Sequence, residues 1–250
     1  ARRAVIATVP APRLLLEMVP REALPGTVLR DLHRRFQHDS ATVKVDWALD
    51  GPIPWSHPDA RRAGTLHIAE GIDALTVHAG ELSRHLIPSR PFLLFGQYSM
   101  LDETRAPEGA ETAWAYTHTP QRPHGDAGPD GLTGSWDERE TELFVERVEM
   151  QVEELAPGFK SLIRKRHVLT PRTFPLHDEN LVNGALNGGT AQLHQQLVFR
   201  PYTGSGRAET PIRALYLGGA SAHPGGGVHG SPGANAARAA LKPWRRRRSF

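Results

Sequence analysis

"LYLGGASAHPGGGVHGSPGANAARAAL", Leu215 to Leu241, decides how this chain is read. Arg213 to Leu217 are apolar on both faces, as a buried parallel strand is. Gly218, Gly219 and Ala220 follow, and residues this small let another group come close to the backbone. Gly225, Gly227 and Gly230 then satisfy G-x-G-x-x-G, the spacing of a dinucleotide-binding turn. Ser231 suits an N-cap and Pro232 the first helical position, and the alanine-rich run after them propagates until Lys242-Pro243. Strand, glycine loop and capped helix together build an anion-accepting helix N-terminus, with free N–H groups and about half a positive charge.

The surroundings do not suit a dinucleotide fold opened by that turn. The link from strand to helix is far longer than the tight turn requires, and no second strand with a ribose-binding acid follows. Further upstream, Ala4 to Val9 reads as a buried strand and Thr27 to Phe36 as a helix. The clearest strand sets Val43, Val45, Trp47 and Leu49 on one face and Lys44 and Asp46 on the other. Gly51 to Pro58 is a loop. Thr65 to Ile68 predicts a short strand, followed by a helix whose Ile72, Leu75, Ala79, Leu82 and Leu86 make one apolar stripe.

"RPFLLFGQYS" and "ETAWAYTH" read as paired strands, the second alternating Thr112, Trp114, Tyr116 and His118 with small residues. Pro120 to Gly134 reads as a flexible loop ending in a capping box, Ser135 with Glu138. The long helix that follows buries Phe144, Val148, Val152 and Leu155 and stops at Pro157-Gly158. "RKRHVLT" predicts one more strand, and residues 180–201 are irregular. This is no regular βαβ alternation, so the expected class is α+β, a mixed sheet with helices packed to one side.

Composition narrows the chemistry. The 250 residues contain no cysteine, which excludes disulfides, thiolate metal sites and thiol catalysis and suits a cytoplasmic setting. No stretch has the apolar length of a membrane span, and the N-terminus lacks the layout of a signal peptide. Net charge is only +3. The tail Arg245 to Arg248 reads as a solvated end, with a contact for nucleic acid or anionic lipid as its second reading. No nucleic-acid motif occurs. The thirteen histidines form no H-E-x-x-H or H-x-H pair, so no metal is expected. Ser221 is followed by Ala222-His223, where a nucleophile elbow needs x-Gly.

The Leu215–Leu241 stretch resembles the C-terminal cofactor segment of the phytoene-desaturase-like flavoprotein oxidoreductases, relatives of the amine oxidases. "ARRAVIATV", "ATVKVDWALDGPIPW", "AGTLHIAEG", "PFLLFGQYSMLDETRAPEGAETAWAYTH", "VEELAPGF" and "LNGGTAQLHQQLVFRP" fall in that family's order, so the likeness covers nearly the whole chain. It implies FAD as cofactor, with the dinucleotide fold in an N-terminal half that these residues do not include. Carried over, Gly218, Gly219 and Ala220 approach the pyrophosphate or ribityl chain. Gly225 and Gly230 shape the loop, Gly226, Gly227 and Val228 line the isoalloxazine, and the helix from Ser231 aims its N-terminus at the pyrimidine. Where many members carry an acidic residue this chain has Ala220, a departure from the family's pattern at one cofactor contact.

The resemblance implies three segments: 1–36 from the FAD domain, 37–201 as the substrate domain, and 202–250 as the C-terminal FAD segment and tail. The implied reaction is hydride transfer to flavin N5 from an apolar substrate lying between the sheet and the flavin. His223 and His229 are the titratable groups beside the implied ring position. A cofactor-free binding or scaffold module is a rival reading. So is one half of a split enzyme, whose flavin-binding half is a separate partner. Uncovered strand faces also predict a homo-oligomer.

Overall fold

Strand β1 (Val5–Ala7) and helix α1 (Gly26–Arg34) come first among residues 3–246, which the computed structural model describes. Then come β2 (Ala41–Leu49), β3 (Thr65–Ile68), α2 (Ile72–Ser83), β4 (Leu86–Ile87), β5 (Leu93–Gly96), β6 (Glu111–Thr119), β7 (Gly125–Asp126) and the long α3 (Glu138–Leu155). Short α4 (Phe159–Leu162), β8 (Ile163–Leu169) and α5 (Phe174–His177) precede an irregular stretch, which leads to β9 (Leu215–Leu217) and α6 (Ser231–Arg246). The chain divides into two compact units, Ser40–His177 and a discontinuous one of Ala1–Asp39 with Asp178–Phe250. The continuous unit is shorter than 37–201. Residues 178–201 are tied instead to the discontinuous unit, where Thr190 N–H donates to Gln37 O at 2.9 Å and Leu186 N–H to Asp39 at 3.0 Å.

In the unit Ser40–His177 the sheet order is β3-β5-β6-β2-β8, every neighbour antiparallel. Parallel pairing is confined to the two-stranded β4–β7 and β1–β9 sheets, so the mixture of strand senses is divided between sheets. Alternation along β2 buries Val43, Val45, Trp47 and Leu49, and their neighbours Phe95, Ala113 and Ala115 share that face. Phe144, Val145, Val148 and Val152 of α3 and Phe159 of α4 close the same core. The opposite face carries Lys44, Asp46, Trp114, Tyr116 and His118, all half-buried. Trp114 and Tyr116 stack there at 6.0 Å between ring centroids.

Four local expectations shift. The cap of α3 is Asp137, whose Oδ1 accepts the Glu140 N–H at 2.8 Å, so the box is Asp137/Glu140 and not Ser135/Glu138. Glu140 earns that place by turning back to accept from Thr133, Gly134 and Trp136. Leu155, one position before the C-cap, is exposed where the helix leaves the core. The loop of residues 120–134 is anchored: Arg147 bridges Asp126 at 2.8 Å and Asp130, and Leu132 is buried. On α2 Ile72, at 75%, Leu75 and Ala79 are exposed and Leu82 is half-buried, and the stripe's Leu86 falls in β4, while His78 is the buried residue, lying against Phe92.

The discontinuous unit pairs β1 with β9 in parallel, Val5 opposite Leu215 and Ala7 opposite Leu217. Strand β9 is buried throughout. The expected burial of β1 fails: Val5 and Ile6 are 46% and 44% exposed, and among the described residues β9 is its only neighbour in the sheet. Helix α6 does not stop at Lys242-Pro243 but continues to Arg246. Arg247 and Arg248 of the basic tail lie outside the described residues.

Candidate functional site

The glycine loop is rooted where β9 passes β1. Gly218 N–H donates to Ala7 O at 2.7 Å, extending the ladder beyond the strand. A Cβ on Gly218 would lie 2.7 Å from the Ile6 side chain and 3.4 Å from Ala236 of α6, and one on Gly219 would run into the Thr8 carbonyl. Close approach is therefore what these two residues permit, and within the chain β1 and α6 make it. Ala220 gives its carbonyl to the Arg200 guanidinium, at 2.7 Å from Nη2. Buried Ser221 accepts the Ala11 N–H at 3.0 Å and donates to Gly188 O at 2.6 Å.

Beyond this root the chain forms a ledge. Gly225 is buried, whereas Gly226, Gly227, Val228, His229 and Gly230 are all exposed. Gly225 and Gly227 take φ 110° and 144°, conformations that residues with side chains avoid. The G-x-G-x-x-G spacing is thus demanded here by the shape of a long ledge rather than by a tight turn. A Cβ at Gly226 would lie 2.9 Å from Asn187 Oδ1, and one at Gly227 2.8 Å from the His229 ring. Ala234 N–H donates to Gly230 O at 3.0 Å, so Gly230 occupies the cap position assigned to Ser231 and α6 begins one residue earlier.

The two histidines differ in setting. His229 is exposed, and its Nδ1 accepts the Ser231 N–H at 3.0 Å, which leaves the ring proton on Nε2. His223 Nδ1 is buried without a hydrogen-bond partner among the described residues, while its carbonyl receives the Asn235 amide at 3.4 Å. Nothing holds either ring against a carboxylate among the described residues. No three His, Asp or Glu side chains there gather closely enough to hold a metal ion.

Sequence reasoning missed the groups that hold the ledge. Arg200 is 1% exposed and lies against Gly225, whose Cβ would be 3.3 Å from its Cζ. Its guanidinium donates to the carbonyls of Thr190 at 2.8 Å, Asn187 at 3.0 Å, Gly189 at 3.2 Å, Gln195 at 3.5 Å and Ala220. Burial draws the Arg200 pKa down from its usual range, with Asp39 opposing from a distance. Asp39 accepts from the Leu186 and Asn187 amides and from Asn187 Nδ2 at 3.2 Å. Gln195 clasps both backbone groups of Gln37, at 2.8 and 2.9 Å. The available sequence signal was a lone arginine in the run "QLVFRP", downstream of a glycine-bearing segment with little secondary structure of its own.

A class of relatives accompanies this geometry: the chain is similar to pyridine nucleotide-disulfide oxidoreductase domain proteins and to phytoene-desaturase-like enzymes, which supports an oxidoreductase family at modest identity. The rat pyridine nucleotide-disulfide oxidoreductase domain-containing protein 2 is 32% identical over 94% of this chain and 41% of its own length. The 4,4'-diapolycopen-4-al dehydrogenase of Metabacillus indicus is 33% identical over 85% of this chain and 37% of its own. The phytoene desaturase of Fusarium fujikuroi is 31% identical over 82% and 36%. The chain therefore spans about two fifths of the length of the curated relatives it matches. No family model matches it. Among solved structures, the crystal structure of an oxidoreductase from Methanosarcina mazei aligns with a TM-score of 0.50 and 18% identity over 96% of this chain and 42% of that one, a likeness of fold alone. Among the described residues no helix is long and apolar enough to cross a membrane.

Proposed function

We propose that this chain is the C-terminal portion of an FAD-dependent dehydrogenase or desaturase that takes hydride from an apolar substrate. The observation that carries this reading is the ledge itself: exposed glycine backbone, rooted on a parallel strand pair and running into the N-terminus of α6. The residues fit the cofactor. At Gly226 and Gly227 no side chain rises from the ledge, and at its base His223 Nδ1 lacks a hydrogen-bond partner among the described residues. Bound FAD supplies the hydride acceptor. Gly226, Gly227 and Val228 would hold its ring by backbone contact, and the α6 N-terminus favours negative charge beside it. Gly218 and Gly219 keep β1 and α6 close enough to form that seat.

The substrate's place in this reading is the half-buried face of the five-stranded sheet, where Trp114 and Tyr116 stack. Its partner is the dinucleotide-binding half, in the same or a separate polypeptide. Titration calorimetry tests the reading. The 250-residue chain alone is expected to bind FAD weakly, since one helix terminus contributes only about 0.3–2 kcal/mol. Joined to the dinucleotide-binding half it is expected to turn yellow and hold FAD stoichiometrically. Failure of the joined protein to retain FAD overturns the reading.

A further inference from the structure

Arg200 is a monocation, 1% exposed, whose hydrogen-bond partners among the described residues are backbone carbonyls and no carboxylate. Taking a guanidinium out of water is costly, and carbonyl dipoles return part of that cost without cancelling the charge. The charge lies in contact with the position of the Gly225 side chain, one residue before the exposed ledge. An electrostatic opponent, Asp39, is engaged with the amides of Leu186 and Asn187. Asn187 joins the two groups to the ledge: its carbonyl accepts from Arg200, its side chain donates to Asp39, and its Oδ1 abuts Gly226.

We infer that Arg200 is a positioning residue with a second role, projecting positive charge that Asp39 only partly offsets into the ledge, so that a ring seated there is favoured when it becomes anionic. This rests on the flavin reading above and deepens it. Two-electron reduction of a flavin by a substrate hydride adds negative charge to the ring system, so a fixed cation nearby raises the reduced fraction at equilibrium. Asp39 works against Arg200 and trims the effect. A purely structural Arg200 would hold the loops 187–195 and 220 together and have no bearing on that equilibrium.

The two accounts differ in sign. FAD content and the reduced-to-oxidised ratio against a reference dye would be measured in the flavin-loaded protein, this chain with its dinucleotide-binding half. Arg200→Gln is expected to lower the ratio about tenfold, as loss of a unit charge at an effective dielectric of roughly 20 allows. Arg200→Lys should stay within about threefold of the parent. Asp39→Asn, which keeps an amide oxygen for the Leu186 and Asn187 N–H groups, should raise the ratio about threefold. Opposite movements of Arg200→Gln and Asp39→Asn support the inference. Equal ratios, or movement in the same direction, overturn it. Should Arg200→Gln fail to fold, Asp39→Asn decides alone: a rise supports it and no rise overturns it. Parent protein that binds no FAD defeats the flavin reading and this inference together, whereas normal FAD content with unmoved ratios defeats only the inference.

Discussion

The unit Ser40–His177 and the discontinuous unit are stabilised by different materials. In the first, the largest fully buried side chains are Trp47, Trp55, Phe95, Phe144 and Phe159. Its charges are answered locally, as in Arg147 with Asp126 and Arg166 with Glu149. In the second, the largest fully buried side chain is Arg200, and it spends its donors on loop carbonyls. A five-stranded ladder satisfies its own backbone and leaves side chains free to make an apolar core. Loops lack that ladder, so side chains must satisfy the backbone instead. The loops so held are also the ones that carry the candidate site, which is where rigidly supported loops are of use.

If this contrast is right, the largest loss should come from the apolar core. Trp47→Ala is expected to destabilise the unit Ser40–His177 by about 3–5 kcal/mol. It also removes the Trp47 Nε1 donor to Glu149, at 2.9 Å, and among the described residues leaves that carboxylate to Arg166 alone. Chemical denaturation reads this, and a loss under about 1 kcal/mol would show that the core is not where that unit's stability resides.

Next comes acid. Burial alone would raise the Glu140 pKa, but the hydroxyl and amide of Thr133 and the amide of Trp136 hold it down at about 2. Depressed in the folded state, this carboxylate contributes stability above its ordinary value of 4.5 and loses it as pH falls towards about 2. The contribution is of the order of 3 kcal/mol. Glu140→Gln should therefore lower stability at neutral pH and flatten the acid limb between those values, seen by thermal melting across pH. An unchanged acid limb would mean that the unfolding transition does not sense this cap.

Within the discontinuous unit the test is Ser221→Ala, which removes the acceptor for Ala11 N–H and the donor to Gly188 O. About 1–3 kcal/mol should be lost, because Ala11 keeps its N–H in a buried setting and Gly188 its carbonyl in a half-buried one. Hydrogen exchange confined to Ala11 and residues 186–190 would localise the loss. Gly227→Val should cost about 1–3 kcal/mol through its positive φ and the crowded His229 ring. Measured in the flavin-competent protein, it should also abolish flavin binding. Full flavin occupancy in that variant would remove the ledge from the cofactor site.

The smallest effect on stability belongs to the exposed strand. Ile6→Lys should change folding by no more than about 0.5 kcal/mol. It should nevertheless disperse self-association of the isolated chain, for which the β1 face is the proposed contact. Light scattering at micromolar concentration decides this, and an association that Ile6→Lys leaves intact would place the contact elsewhere.

Much of this could be read from sequence where one residue's neighbours were enough. The period-2 alternation in residues 41–49 fixed both the strand and its buried face, because a pleat sends successive side chains to opposite sides. Positive φ at Gly225 and Gly227 was similarly foreshadowed by their lack of a side chain. Caps were legible only to within a residue or two: serine and aspartate compete for the same place, and Asp137 prevails because Glu140 can turn back onto three amides. Periodicity on α2 showed that one face differs from the other but not which face the fold covers, and His78 is the buried one. Only tertiary structure could bring Asp39, Asn187, Arg200 and Ala220 together, since they are distant in sequence and none has a periodic signature. Nor could any local rule have shown that an arginine would be the most deeply held cation near the ledge. That depends on several carbonyls converging from separate loops, a long-range condition that no single stretch of sequence contains.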